Sequence, residues 1–166
     1  MSTALEKNSH CGYCGHRFAA TQPWPRCCAG CQQTSYVNPV PVAVLLLQVD
    51  EGLVVIRRAI APRQGRLALP GGYINLGESW QQAACREVFE ETGIRVDPAT
   101  VEDFRTLSAP DGTVLVFGLA RLPAATELAP FVPSEETSER LILRAPEELG
   151  FPLHSQVVSE FFAAKL

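Results

Sequence analysis

A helix that carries three glutamates on one face is the feature that most constrains this chain. Its predicted span is 79–92, because Ser79 and Gln82 form a capping box at its start and Gly93 is a natural end. Apolar residues recur along it at helical spacing, so one face is predicted to be buried. Residues three and four apart share a face, and like charges there destabilise a helix unless something neutralises them. The glutamates are Glu87, Glu90 and Glu91.

A bound divalent cation is one agent that would neutralise these carboxylates. Mg²⁺ prefers carboxylate oxygens together with the phosphates of a substrate. Taken alone, a run of acidic residues more often forms a solvated face than a metal site. The residues in front of the helix favour the metal site, because a Gly-rich turn is predicted at 70–72 and a loop ends at Gly77 and Glu78.

The order of glycines and charged residues in this region resembles the signature of the Nudix hydrolases. All nine fixed or class-restricted positions of that signature match over 23 residues. The resemblance implies an α/β fold, the Nudix α/β/α sandwich with a mixed sheet. It also implies hydrolysis of a nucleoside diphosphate that is joined to another group. The matching residues are Gly72, Glu78, Arg86-Glu87-Val88, Glu90-Glu91 and Gly93-Ile94.

The resemblance assigns a role to each matched polar residue. Glu78 would support the metal site, and Arg86 would pair with a glutamate such as Glu90 and hold the carboxylates in place. Gly72 would let the backbone come close to the metal or the phosphate. The cofactor would be Mg²⁺ or Mn²⁺, which neutralises the pyrophosphate and lowers the pKa of a bound water. The metal ligands would be Glu87, Glu90 and Glu91.

The general base has two alternative sources in this family, a glutamate of the signature or one from a later loop. A polar loop is predicted at 133–139, and its candidates are Glu136 and Glu139. An isolated loop glutamate is more often simply solvated, so both alternatives stay open.

Five of the six cysteines fall between Cys11 and Cys31, in a stretch without helical period. Four of these five form two Cys-x2-Cys pairs separated by thirteen residues, slightly fewer than the usual ribbon spacing of about 15–20. Two such pairs suit a tetrahedral four-thiolate site, so a structural Zn²⁺ is predicted that contributes folding energy rather than catalysis. A redox pair is the main rival. The predicted zinc ligands are Cys11, Cys14, Cys28 and Cys31.

Three further residues are alternative zinc ligands. Cys27 could replace Cys28, although the spacing within each pair favours Cys28. His10 and His16 lie next to the first pair. Cys85 stands alone inside the predicted helix, where packing in the interior is expected.

Two domains are therefore predicted, a zinc ribbon at 1–36 and a Nudix domain at 37–166. The second begins with a buried strand and a returning strand, joined as a hairpin. A closing amphipathic helix begins at about Ser155. The strands are predicted at 42–49, 53–58, 67–69, 101–107, 113–122 and 141–143.

This domain order resembles the branch that contains NADH, FAD and ADP-ribose pyrophosphatases. NADH pyrophosphatases carry a Ser-Gln-Pro-Trp-Pro-Phe-Pro motif downstream of the signature, and nothing like it occurs at 95–166. The similar segment Thr21–Pro25 lies upstream, where it is interpreted as coincidence or ribbon packing. The favoured substrates are therefore ADP-ribose or FAD, with release of AMP. NADH and an RNA 5′ cap are the alternatives.

The charge of the chain bears on its partners. The formal net charge is −4, which gives no bulk attraction to nucleic acid or to an anionic membrane. Residues 1–41 are mildly basic, with Lys7, Arg17 and Arg26 against Glu6, so an RNA-binding ribbon is possible but not favoured. A catalytically silent nucleotide sensor is disfavoured because all signature carboxylates are kept. The resemblance implies a homodimer, and without a signal peptide or membrane span a cytoplasmic location is expected.

Overall fold

The computed structural model describes residues 6–122 and 128–164. The chain divides into two compact units, the first ending at Pro39 and the second beginning at Val40. This division lies three residues after the predicted domain boundary at residue 36. Within the described ranges, no helix combines the length and apolar character needed to cross a membrane.

The first unit is a small module around the cysteine pairs. Strands β1 (Arg26–Cys27) and β2 (Thr34–Ser35) pair antiparallel on either side of the second pair. Its interior consists of Phe18 together with the buried cysteines Cys11 and Cys28. With so few apolar side chains buried, a module of this size needs a metal or another cross-link for stability.

The second unit is built on a seven-stranded mixed sheet with two helices. β3 and β8 run parallel in register over ten residue pairs, and the other pairings are antiparallel. The order is β5-β4-β3-β8-β7, with β6 also paired to β3 and β9 to β4. The strands are β3 (Val40–Val49), β4 (Gly52–Arg58), β5 (Leu67–Ala68), β6 (Gly71–Tyr73), β7 (Glu102–Ser108), β8 (Thr113–Leu122) and β9 (Thr137–Leu143), and the helices are α1 (Trp80–Thr92) and α2 (Pro152–Ala163).

The central strand β3 is buried on both faces, as its continuous apolar sequence predicts. Successive side chains of a strand point to opposite faces. Leu45 and Leu47 accordingly pack with α1, whereas Leu46 packs with α2. One helix therefore covers each face, which confirms the α/β/α sandwich.

Near β3, one prediction is confirmed in a shorter form and another was wrong. The predicted hairpin joins β3 and β4 through only two register pairs, after which the strands part and take different neighbours. The segment predicted as a Gly-rich turn is instead β6, which lies beside β3. A Cβ on Gly71 would clash with the Ala43 carbonyl oxygen and with Val44 Cα, so glycine here permits close strand contact rather than a turn.

Two element starts also differ from the prediction. β9 begins at Thr137 rather than Leu141, because it pairs with β4 alone and its exposed polar residues hide the strand pattern. Glu139 therefore lies in a strand and not in a loop. α2 begins at Pro152 rather than near Ser155, with proline in the first turn, where its missing N–H costs no hydrogen bond.

Candidate active site on the glutamate helix

Helix α1 has the ends that its sequence predicts. The Ser79 hydroxyl accepts from the Gln82 N–H, and the Gln82 side chain accepts from the Ser79 N–H. Gly93 follows the helix with a φ of 74°, in the left-handed region that favours glycine. Ala83, Ala84 and Val88 are buried against the sheet. The packing thereby fixes the rotation of the helix and the direction of its glutamates.

Arg86 bonds to three of the signature glutamates at once. Its Nη1 donates to Glu87 at 2.7 Å and to Glu90 at 3.2 Å. Its Nη2 and Nε donate to the two oxygens of Glu78 at 2.7 and 3.2 Å, a two-point contact. Nη2 also donates to the Tyr73 carbonyl oxygen in β6 at 2.9 Å. The expected contact with Glu90 is thus one part of a wider network, which fixes the carboxylates relative to β6.

Glu78 is fixed in place at the end of the loop before α1. The hydrogen bond from Arg86 and, to a smaller extent, the Asn75 N–H at 2.7 Å together lower the pKa of Glu78 to about 2. Its two oxygens therefore accept from Arg86 and Asn75, in agreement with a supporting role beside the metal ligands rather than a free ligand.

Glu91 is a buried carboxylate, only 6% exposed. One oxygen accepts from the Gly71 N–H at 2.9 Å. Burial raises the pKa of Glu91 to about 8; the carboxylates of Glu87 and Glu136 also raise it, against the lowering effects of the Gly71 N–H and Arg58. A carboxylate buried among others is costly unless a cation accompanies it. These residues therefore fit a divalent metal ion.

Gly72 lies where the Glu87 carboxylate approaches the backbone of β6. A Cβ at this position would overlap the Glu87 carboxylate carbon and oxygens. Glycine thus makes room for a candidate metal ligand, rather than for the metal or phosphate directly. The chain folds this way because β6 and α1 are adjacent, with β6 beside β3 in the sheet.

The structure separates the two later-loop candidates for the general base. Burial raises the pKa of both Glu87 and Glu91, and the charge of the Glu136 carboxylate raises both pKa values further. Glu136 therefore lies within electrostatic reach of the signature glutamates on α1. Glu139 instead accepts from Arg57 Nε at 2.7 Å. Its neighbour Arg140 contacts α1, and adjacent strand residues face opposite sides, so Glu139 points away from the glutamate helix.

Two residues near Glu91 were missed by the sequence analysis. Gly71 donates its N–H to the Glu91 carboxylate, and Arg58 lowers the pKa of Glu91 by its charge. Arg58 is oriented by its Nε, which donates to the Pro62 carbonyl oxygen at 2.8 Å. The sequence holds no signal for this proximity, since Arg58 ends β4 and reaches Glu91 only through the strand order.

The four predicted zinc ligands converge in the first unit. Their sulfur atoms all lie within 4.8 Å of one another. The Cys11–Cys31 and Cys14–Cys28 sulfur distances are 3.7 and 3.6 Å, close to the roughly 3.8 Å between ligands of tetrahedral zinc with 2.3 Å bonds. Cys27 is exposed and its thiol lies 3.6 Å from the Gln32 carbonyl oxygen, outside this group. The donor set therefore fits Zn²⁺ and favours Cys28 over Cys27.

The two cysteine pairs have the same backbone conformation. The second residue after Cys11 and after Cys28 donates its N–H to the cysteine sulfur, at 3.4 and 3.3 Å. Four residues after each cysteine, Gly15 and Gln32 have φ values of 74° and 62°. Sulfurs that accept backbone N–H groups are prepared to carry thiolate charge. This repeated turn supports a metal site over a redox pair.

Known proteins match this chain in sequence. The NUDIX domain family model matches residues 37–161. The NAD-capped RNA hydrolase NudC of Edwardsiella ictaluri is 36% identical over 97 residues, which make up 58% of this chain and 37% of that protein. NudC of Shigella flexneri is 31% identical over 97 residues, with the same two shares. The chain thus matches little more than a third of the length of these curated relatives.

Solved structures match the fold. A NUDIX hydrolase from Nitrosomonas europaea has a TM-score of 0.78 at 23% identity, over 95% of this chain and 92% of that one. A MutT/nudix family protein from Enterococcus faecalis has a TM-score of 0.58 at 25% identity, over 65% of this chain and 44% of that one. Since the family model spans most of the chain and includes the whole glutamate signature, this protein belongs to the Nudix family.

Proposed function

We propose that this chain is a Mg²⁺- or Mn²⁺-dependent pyrophosphohydrolase of a nucleoside diphosphate joined to a second moiety. The observation that carries the proposal is the group of three carboxylates, Glu78, Glu87 and Glu90, bonded to the single guanidinium of Arg86, with the buried Glu91 carboxylate close enough to Glu87 for its pKa to be raised by it. The favoured substrates are ADP-ribose and FAD, and AMP is the common product.

The chain's own residues would orient the metal ligands. Glu87, Glu90 and Glu91 would hold the cation, with Glu91 oriented by the Gly71 N–H and Glu87 by Arg86. When bound, a divalent cation neutralises diphosphate charge and lowers the pKa of a coordinated water. Glu136 is the favoured later-loop group to accept a proton, because its charge acts on both Glu87 and Glu91.

NADH and NAD-capped RNA are the second candidate substrates. The NudC relatives are NAD-capped RNA hydrolases, which favours these substrates. The missing Ser-Gln-Pro-Trp-Pro-Phe-Pro motif argues against them, as does Trp24, which packs edge-on against Phe18 at 5.9 Å with Arg26 stacked 4.5 Å from its ring centroid. The upstream Thr21–Pro25 segment therefore serves ribbon packing, one of its two interpretations.

A substrate panel tests the proposal directly. Purified protein with Mg²⁺ or Mn²⁺ should release AMP from ADP-ribose or FAD faster than from NADH, and chelation should abolish release. Glu90→Gln and Glu91→Gln should lower kcat on the order of 100-fold or more, because each removes a negative metal ligand. Glu102→Gln is the matched control, because Glu102 on β7 forms an exposed ion pair with Arg121 on β8. Full turnover by either signature variant would exclude the assigned metal site.

A further inference from the structure

Arg140, in β9, donates to two backbone carbonyls that belong to different parts of the chain. Its Nη1 lies 2.7 Å from the Thr92 carbonyl oxygen, at the end of α1. Its Nη2 lies 2.6 Å from the Ala129 carbonyl oxygen, and the guanidinium lies 5.7 Å from the Phe131 ring centroid. A single side chain therefore connects the end of the glutamate helix to the segment that precedes β9.

This arginine is half-buried, and among residues 6–122 and 128–164 it has no carboxylate partner. The ion pairs of the described ranges do not include it, although the chain has 18 acidic residues against 14 basic ones. Burial lowers the pKa of Arg140, which reflects the cost of desolvating its charge. The carbonyl groups at the end of a helix carry partial negative charge, and α1 has no basic residue in its last turn. Arg140, which belongs to β9, places a positive charge at this end of α1.

The two contacts of Arg140 join the end of the glutamate helix to the start of the segment that contains Glu136. Thr92 directly follows Glu91, and Ala129 begins the stretch 129–136 that ends in Glu136. The far end of this stretch is held separately, because the Ala59 N–H donates to the Glu136 carbonyl oxygen at 2.7 Å. The Ser134 hydroxyl accepts from the Glu136 N–H at 3.3 Å. Arg140 thus supplies hydrogen bonds that tie the near end of the stretch to the end of α1.

We propose that Arg140 is a positioning residue that fixes segment 129–136 to the end of α1 and so holds Glu136 beside Glu87 and Glu91. Arginine suits this task because its planar fork donates in two directions at once, whereas lysine carries one point of charge. The inference rests on the proposed function, since it concerns the place of Glu136 in that reaction.

Hydrogen exchange tests the contact itself, without any substrate. In Arg140→Lys, the hydrogen-bonded amides of this segment, those of Ser134 and Glu136, should exchange about 10-fold faster than in the wild type, as expected for the loss of one hydrogen bond to a charged group. Amides of β3 and β8 should be unchanged. Arg105→Lys is the matched control, because Arg105 bonds to Glu160 at an exposed site on β7. Unchanged exchange at 129–136 would overturn the proposal.

A double-mutant cycle tests the action through Glu136. Arg140→Lys should lower kcat on the order of 10-fold in the wild type, because a small displacement of a reacting group is costly. In a Glu136→Gln background the same substitution should change kcat by less than about 2-fold, since the group it positions is already gone. The affinity for Mn²⁺ should be unchanged in Arg140→Lys. Equal losses in both backgrounds, or a fully active Glu136→Gln, would overturn the proposal.

The two experiments also separate this inference from the proposed function. If the wild type releases no AMP from any substrate of the panel, the proposed function fails, and the catalytic part of this inference fails with it. Exchange at 129–136 still decides whether Arg140 holds the segment. If the wild type is active and the cycle is additive, the function stands and the role of Arg140 is wrong.

Discussion

At the scale of single residues, two adjacent glycines in β6 have different reasons to be glycine. A Cβ on Gly71 would meet backbone, the Ala43 carbonyl oxygen and Val44 Cα, neither of which can move without deforming β3. The three atoms nearest to a Cβ on Gly72 all belong to the carboxylate of Glu87, the far end of a side chain rather than backbone. The first glycine is therefore required by the fold and the second by the site.

These two environments predict opposite outcomes for two neighbouring substitutions. Gly72→Ala should change the free energy of unfolding by less than about 1 kcal/mol, because Glu87 can rotate away. The same substitution should lower kcat by about 10- to 100-fold, since a candidate metal ligand is displaced. Gly71→Ala should cost about 3 kcal/mol of stability through overpacking against rigid backbone. Chemical denaturation and AMP release, measured on both variants, check the contrast.

A Gly72→Ala protein with wild-type kcat would contradict this interpretation of Gly72. So would a loss of stability as large as that of Gly71→Ala, because it would mean that Glu87 cannot rotate away. The comparison is internally controlled, since both substitutions add one methyl group to the same strand.

The signature residues also show how far sequence alone can go. The pattern predicted that Arg86 and its glutamates act together, because helical spacing brings residues three and four apart to one face. It could not distinguish Glu136 from Glu139, since that choice depends on where β9 begins and which side each residue faces. It could not predict the contact between Gly71 and Glu91 either, because β6 was predicted as a turn.

At the scale of elements, the cysteine module of the first unit is defined by the repeated turn at its two cysteine pairs. In each turn the cysteine N–H also donates to the carbonyl oxygen five residues on, from Cys11 to His16 and from Cys28 to Gln33, both at 2.9 Å. Cys27 lies one residue before the second turn and outside the sulfur cluster. The sulfur of Cys28 therefore belongs to the candidate zinc site, whereas that of the adjacent Cys27 does not.

The pair Cys27 and Cys28 gives a matched test of the ribbon. Cys28→Ser should lower bound zinc from about one ion per chain to near zero, and the first unit should become sensitive to proteolysis, because metal binding supplies its folding energy. Cys27→Ser should keep its zinc and its resistance, since its exposed thiol contacts only a carbonyl oxygen. Metal analysis of both purified variants is the measurement. Loss of zinc in Cys27→Ser, or its retention in Cys28→Ser, would reverse the ligand assignment.

Elements were predicted best where local sequence decides them. The capping box and Gly93 fixed α1 to within a residue at each end, and the continuous apolar run identified β3. The prediction was wrong for β6, which was predicted as a turn, and for the start of β9. Both strands are imposed by their partners, β9 by β4 and β6 by its place beside β3. An edge strand with polar side chains and a strand containing two glycines lack the alternating pattern that marks a strand.

At the scale of the whole second unit, His154 of α2 connects this helix to the sheet. It is buried, and its Nδ1 accepts from the Leu69 N–H at 3.2 Å, in the segment between β5 and β6. Its ring lies edge-on to Phe117, with 5.7 Å between the ring centroids. An imidazolium could not accept that hydrogen bond and would be costly in this apolar place. The folded protein therefore requires the neutral ring.

The stability of the fold should consequently depend on pH through His154. Burial lowers the pKa of His154 to about 3, with a smaller lowering from Arg58, against about 6.5 in the unfolded chain. Below pH 6.5 the unfolded chain binds a proton that the folded chain does not. The contribution to stability is thus complete above pH 6.5 and is lost as the pH falls toward 3, by about 1.4 kcal/mol per pH unit.

His154→Asn isolates this contribution, because asparagine keeps an oxygen able to accept from Leu69 but cannot take up a proton in this range. Denaturation followed by circular dichroism at pH 7.5, 6.5, 5.5 and 5.0 would give the free energy of unfolding of both proteins. The wild type should lose about 1.4 kcal/mol more than the variant for each pH unit below 6.5. His10, His16 and the carboxylates are present in both proteins, so their titration cancels in the difference. Parallel curves would mean that the buried ring accepts a proton without opening the fold, and the role given to the Leu69 hydrogen bond would then be wrong.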